Sequence, residues 1–168
     1  MKKNNTLFLK ECISDAIIEI LKTKPLEKIS IDEITAKAGV GRATYFRNFT
    51  SKTEAITFKI NILWDNWCDN NGISRETRYT VHNAFDFLNF SYNYKELYKL
   101  LYKENLQSTI FDAFYNVILK QERSSPEEYY KSRFLSYGVY GVVAEWVKRD
   151  FHETPQQLAL ILNQTLSL

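Results

Sequence analysis

The sequence predicts an all-α protein, and three observations carry that prediction. Gly and Pro are scarce, 5 and 3 in 168 residues, which favours long helices over many-turned β structure. No segment alternates apolar and polar residues at period two for long enough to make a strand. Apolar residues recur instead at three- and four-residue spacing between charged ones, the pattern of amphipathic helices. About nine helices are expected: a three-helix amino-terminal head and a carboxy-terminal helical bundle, with residues 1–64 assigned to the head and 65–168 to the body.

Leu9, Ile13, Ala16, Ile17, Ile20 and Leu21 share one face of the first helix. It should stop near Thr23, because Pro25 disfavours helical geometry in the residue before it. Ser30 and Glu33 form a Ser-x-x-Glu capping box that opens a short second helix, and Gly39, which takes positive φ without penalty, closes it after Ala38. The third helix starts at Gly41 or Arg42 and runs to about Asn48. Ser51 with Glu54 is a second capping box, opening a long helix that extends through Trp64 and Trp67. Asn70-Asn71-Gly72-Ile73-Ser74 reads as a loop. Helices then follow over about 80–93, 95–102 and 108–123. Ser124-Ser125-Pro126 breaks the last of these and starts another over about 127–148, with Pro in the first turn where its missing amide costs nothing. Thr154-Pro155 caps the final helix, in which Leu158, Ile161, Leu162 and Leu166 share a face.

A net charge of +2 does not by itself imply a nucleic-acid partner, but the distribution is uneven. Residues 1–59 hold 11 Lys or Arg against 7 Asp or Glu, whereas residues 60–168 hold 11 against 13. The 25 aromatic residues divide the other way, 5 in the first stretch and 20 in the second. A basic, aromatic-poor head and a mildly acidic, aromatic-rich body suggest two different jobs. Cys12 and Cys68 each sit inside a helical pattern, which fits free buried thiols in a reducing compartment better than a disulfide. The first ten residues lack the apolar stretch of a signal peptide, and the longest nearly apolar run, Tyr137 to Ala144, is far below the roughly 20 residues that span a bilayer. A soluble, cytoplasmic protein is expected.

The informative segment runs from Ser30 to Lys52. Two helices of about two turns each are joined by Ala38-Gly39-Val40-Gly41, with Ile31, Ile34, Ala38, Val40, Tyr45 and Phe49 placed to share a small core. This is a helix-turn-helix arrangement, whose second helix can enter a major groove. On a helical wheel Tyr45 and Phe49 point inward, Ala43, Thr44 and Arg47 outward, and Arg42, Phe46 and Asn48 lie on the flanks. Arg can donate two hydrogen bonds to a guanine edge, Asn can pair with adenine, and the Ala and Thr methyls can meet a thymine methyl. Lys52 adds its charge to the free amides at the amino end of the next helix, a ready phosphate anchor. By spacing alone, an ordinary helical hairpin with a solvated basic face fits equally well.

Residues Leu9 to Trp64 resemble the DNA-binding domain of the TetR family of bacterial transcriptional regulators. The resemblance rests on the first helix, Ser30-Ile31-Asp32-Glu33-Ile34, Ala38-Gly39-Val40, Thr44-Tyr45-Phe46-Arg47-Asn48-Phe49 and Ser51-Lys52. It implies that Ser30 approaches the DNA backbone, that Arg42 to Thr44 with Arg47 and Asn48 read bases, and that Lys52 holds a phosphate. There is one departure. The family usually places Tyr second in the pair that is Tyr45-Phe46 here, and that hydroxyl commonly contacts a phosphate. Phe46 cannot donate this bond, so either Tyr45 reaches instead or the contact is absent. Asn48 likewise replaces the more usual His or Tyr.

The resemblance also implies a homodimer, a palindromic operator, repression as the usual outcome and a small effector. The body is similar to a short-bodied subgroup that includes regulators of dihydroxyacetone kinase operons, which assigns no effector. Phe134, Tyr137, Gly138, Gly141 and Val142, with the face of Leu158, Ile161, Leu162 and Leu166, are the candidate dimer seam; these faces would otherwise close the monomer core. Trp64, Trp67, Phe85, Phe90, Tyr98, Tyr102, Phe111, Phe114 and Tyr115 are candidate walls of a cavity for a hydrophobic or aromatic effector. The alternative, favoured for most of them, is that they fill the core. Enzymatic readings are poor: His82 and His152 are isolated, no metal-ligand spacing occurs, and there is no Gly-rich phosphate loop or Gly-x-Ser-x-Gly elbow. No metal and no cofactor is expected.

Overall fold

Pro25 ends the first helix as its position requires. In a computed structural model, which describes the backbone of residues 2–74, 84–119 and 125–166, α1 spans Lys2–Leu21 and is followed by a 3-10 turn over Leu26–Lys28 that the sequence did not announce. The side chains described are those of 5–74, 85–114 and 125–164. The Ser30–Glu33 capping box is closed in both directions: the Ser30 hydroxyl accepts the Glu33 amide at 3.2 Å, and the Glu33 carboxylate accepts the Ser30 amide at 2.9 Å. It opens α2 (Ile31–Ala38), which Gly39 terminates at φ +67°, in the left-handed region where a Cβ would be strained. After Gly41, α3 spans Arg42–Asn48.

The start of α4 (Lys52–Asn70) corrects one expectation. Ser51 accepts the Glu54 amide at 3.0 Å, but the Glu54 carboxylate turns to Thr50, whose amide and hydroxyl both donate to it at 2.7 and 2.6 Å. With that carboxylate on Thr50 and the Ser51 hydroxyl beside the Thr53 hydroxyl at 3.0 Å, only half of a capping box forms. The body follows as α5 (Ala84–Asn93), α6 (Lys95–Lys103), α7 (Gln107–Leu119), α8 (Pro126–Lys148) and α9 (Pro155–Leu166). Thr154 and Gln157 cap α9 reciprocally, at 3.2 and 2.9 Å. Among the described residues there are nine α-helices and no strand. The expected first turn of α5 and last turn of α7, and His82, lie outside those residues.

α1 and α4 pack against each other, with Asp15 2.5 Å from Lys59 across the seam. Between them and α2 and α3 sits the head core: Ile13, Ile17 and Leu21, Ile29, Ile34, Tyr45 and Phe49, and Ala55, Ile56 and Ile60. α4 then continues unbroken past residue 64 into the body, where Trp64 and Cys68 pack with Leu88, Phe90, Tyr98, Leu101, Ile110, Ala113 and Phe114. The turn between α8 and α9 places two non-glycine residues, Asp150 and Phe151, at φ 58° and 54°. Left-handed backbone costs each roughly 1–2 kcal/mol, and the site compensates. Phe151 is buried against Tyr92, Tyr98 and Trp146, Asp150 pairs with Lys99 at 2.5 Å, and the Trp146 indole donates to the Glu153 carbonyl at 3.0 Å.

Candidate nucleic-acid interface

Two aromatic anchors hang α3 on the head. Tyr45 and Phe49 are 1% and 2% exposed, their ring centroids 6.3 Å apart, and Phe49 meets Phe58 of α4 at 5.6 Å edge to face. Lys10 lays its ammonium 5.3 Å from both the Phe49 and the Phe58 rings. The inward assignment of this pair from the helical wheel therefore agrees with the structure, and it corrects one member of the candidate reading set. The Tyr45 hydroxyl is buried without a hydrogen-bond partner among the described residues, so it cannot reach a phosphate in place of the hydroxyl that Phe46 lacks.

The outward surface of α3 consists of Arg42, Ala43, Phe46 and Arg47, all exposed, with Phe46 at 58%. Thr44 and Asn48 are half-buried. The Asn48 amide group donates to the Thr44 carbonyl at 2.7 Å, so its donor hand is turned back onto the helix. An adenine contact through both hands of that amide would require this bond to break. The Arg42 guanidinium lies 2.5 Å from the Asp32 carboxylate and 5.9 Å from the centroid of the Phe46 ring. Arg47 is exposed and has no hydrogen bond or ion pair among the described residues, which leaves its five donors available.

The flanking residues are tied down. Besides closing its capping box, Ser30 donates its hydroxyl to the Glu33 carboxylate at 2.9 Å, and Lys24 forms an ion pair with the same carboxylate. The Lys24 ammonium, followed by the Ser30 amide and hydroxyl, holds the Glu33 carboxyl down at about 2. Lys52 is half-buried, and its ammonium donates to the carbonyls of Leu26 and Ile29 at 2.5 and 2.9 Å. Sequence reading missed Asp32 as the partner of Arg42 and Lys24 as the partner of Glu33. Both pairs span nine or ten residues across a turn, whereas helical spacing signals only neighbours three or four apart.

Among the nine candidate aromatics of the body, Trp64, Phe90, Tyr98 and Phe114 are buried in the core, in line with the filling role favoured for most of them. Trp64 sits edge-on to Phe87, Phe90 and Phe114 at 5.7, 5.2 and 6.0 Å, and Trp67 meets Phe90 at 6.1 Å. Tyr98 is fully buried beside the Ser91 hydroxyl at 3.2 Å, and its burial pushes its phenol above the ordinary tyrosine range. Tyr102 stands next to Tyr140, which Phe111 also meets at 4.9 Å, and Phe85 is exposed. The side chain of Tyr115 lies outside the described residues. A groove of about 440 Å³ opens elsewhere, between α1, α4 and α6, lined by Ile18, Lys22, Lys59, Leu63, Glu96, Leu97 and Leu100 and by none of the nine.

The candidate dimer residues divide. Phe134, Tyr137, Gly138, Gly141 and Ile161 are exposed, and a Cβ built on either glycine would meet open space. Val142, Leu158 and Leu162 are half-buried, the last two against the body core, and the side chain of Leu166 lies outside the described residues. Among the described residues no helix is long and apolar enough to cross a membrane.

The chain matches two family models. Residues 13–55 match that of the bacterial regulatory proteins of the tetR family, and residues 82–168, more than half of the chain, match that of a transcriptional regulator C-terminal region of the same group. No curated protein matches the sequence. The first match covers the helices that present α3, the second the bundle behind them, and together they establish that the chain belongs to the TetR family and is a DNA-binding transcriptional regulator.

Proposed function

We propose that two copies of the chain bind a palindromic operator, each laying α3 in a major groove, and thereby repress transcription. The observation that carries this reading is the division of α3: an aromatic inner face fixes it in the head, while Arg42, Ala43, Phe46 and Arg47 stand exposed on the other side. Two such heads would address half-sites separated by roughly one helical turn, about 34–36 Å, or a little more. Pairing of the copies is supported by an apolar face along α8, where Tyr130 and Phe134 are each 70% exposed beside Tyr137 and the bare backbone at Gly138 and Gly141. Leu160 and Ile161 of α9 extend it.

The ring-on-ring packing of the body favours a second reading of its control, in which the regulator works without an aromatic effector cavity. A thermal-shift screen of metabolites separates the two forms, since a stabilising hit would restore the effector. The DNA reading is tested by Arg47→Ala, measured against the upstream intergenic DNA at fixed salt. Loss of a base-reading Arg costs about 1–3 kcal/mol and relaxes specificity at its position. Unchanged affinity and specificity would overturn the assignment of α3.

A further inference from the structure

We infer that Phe46 reads thymine: its exposed ring takes the C5-methyl of a thymine in each half-site and so sets a preference for thymine over cytosine at that position. The inference rests on the proposed DNA reading and deepens it. α3 carries two aromatic residues, Tyr45 and Phe46, and only Tyr45 is buried. Phe46 is 58% exposed on the outward surface, among Arg42, Ala43 and Arg47. Residues three and four apart are neighbours on a helix, so Phe46 adjoins Arg42 on one side and Ala43 on the other. The ring and the Ala43 methyl together make an apolar spot with an arginine at each edge.

The ring has fixed neighbours. Tyr45, anchored in the head core, meets it edge to face at 5.3 Å, and the Arg42 guanidinium stands 5.9 Å from its centroid. Arg42 is in turn paired with Asp32 of α2. A ring supported in this way has less rotamer freedom to lose on meeting DNA than a freely turning one. A single exposed apolar residue is ordinary on a protein surface, and it is the position of this one that gives it a use. Its ring carries no N–H, O–H or carbonyl, so it forms no conventional hydrogen bond to a phosphate or to a base edge. In the major groove the C5-methyl of thymine is the apolar feature of the base edges, and cytosine lacks it. Laying the outward face of α3 in that groove brings the ring to those edges, where covering a methyl removes apolar surface from water on both sides.

The test uses the full chain at one salt concentration, with the tightest duplex selected from random DNA and an unselected duplex as probes. Symmetry-related thymines of the two half-sites are replaced together by deoxyuridine, which pairs as thymine does and lacks only the methyl. At one such position the replacement should weaken binding about fourfold per half-site, corresponding to about 0.8 kcal/mol. Ala43 and Thr44 bring methyls of their own, so a deoxyuridine effect alone does not identify the ring. The identifying result is the loss of that effect in Phe46→Ala, which should bind the thymine and deoxyuridine duplexes alike at this position and hold the unselected duplex as before. No deoxyuridine effect in the unsubstituted chain, or effects undiminished at every position in Phe46→Ala, would overturn the inference. A selected site whose half-sites contain no thymine overturns it as well. So does equal weakening of the selected and unselected duplexes by Phe46→Ala, which marks a contact to the sugar-phosphate backbone. If Phe46→Ala does not fold, Phe46→Gln, a good helix former without the ring, is read in the same way. If the unsubstituted chain selects no duplex, the DNA reading itself fails and this inference falls with it.

Discussion

The Arg42 guanidinium, 2.5 Å from the Asp32 carboxylate, stands at the start of α3 with one of its nitrogens already engaged by α2. Asp32 and Arg42 are both well exposed, so the pair contributes little to stability. Its effect is to orient the remaining donors and to set a negative charge beside the exposed face of α3. Asp32→Ala should therefore strengthen binding to unselected duplexes several-fold while reducing discrimination for the selected site. Parallel titrations of both duplexes at one salt concentration check this, and equal shifts in the two would refute an orienting role.

Tyr45 gives a prediction of the opposite kind. Its hydroxyl is buried with no hydrogen-bond partner among the described residues, and a buried unsatisfied group of this type costs about 1–3 kcal/mol. Burial also raises its pKa. Tyr45→Phe should raise the melting temperature and leave DNA affinity unchanged. A loss of affinity would return the phosphate contact to this residue.

Glu33 makes the head sensitive to acid in a defined window. Its carboxyl titrates at about 2 in the folded chain against an ordinary value of 4.5. A depressed folded pKa means that the ionised form adds stability above 4.5, and that this contribution is lost as pH falls towards 2. Glu33→Gln keeps an acceptor for the Ser30 amide but discards the charge that pairs with Lys24. The melting-temperature gap between this variant and the unsubstituted chain should be largest at neutral pH and close as pH approaches 2. The carboxylate is solvent-facing, so the gap will be small, and a gap that widened in acid would contradict the assignment.

The apolar face of α8 yields a test of assembly. Phe134 is 70% exposed, between Tyr130 and Tyr137 on one side of the helix. Phe134→Asp should shift sedimentation from dimer to monomer with little change in helical content, and should lower operator affinity because two linked heads bind more tightly than one. A monomeric unsubstituted chain would remove this face from consideration.

Much of the fold was legible because five of the helices carry their own boundary chemistry: Pro25, the Ser30–Glu33 box, Gly39, Ser51, Ser125-Pro126 and Thr154 all act within three or four residues. The outward face of α3 was legible for the same reason, since 3.6-residue periodicity sorts Tyr45 and Phe49 from Arg42, Ala43 and Arg47. Contacts that cross the chain were not. The Lys52 ties to Leu26 and Ile29 and the Arg42–Asp32 pair depend on distances that no local pattern encodes. The aromatics of the body posed a different difficulty. Identical spacing serves a cavity wall and a packed core, and only the ring-to-ring distances around Trp64 and Phe90 distinguish them.

That packing also determines what light can report. All 3 tryptophans lie beyond α3, Trp64 and Trp67 in the second half of α4 and Trp146 in α8. Trp64 and Trp146 are each 2% exposed. Tryptophan emission from this chain should therefore be blue-shifted and come from α4 and α8, leaving α1 to α3 without a tryptophan reporter. Loosening of α1 to α3 alone would pass unseen by tryptophan fluorescence and register in circular dichroism. A mismatch between those two melting curves would expose a head that unfolds before its body.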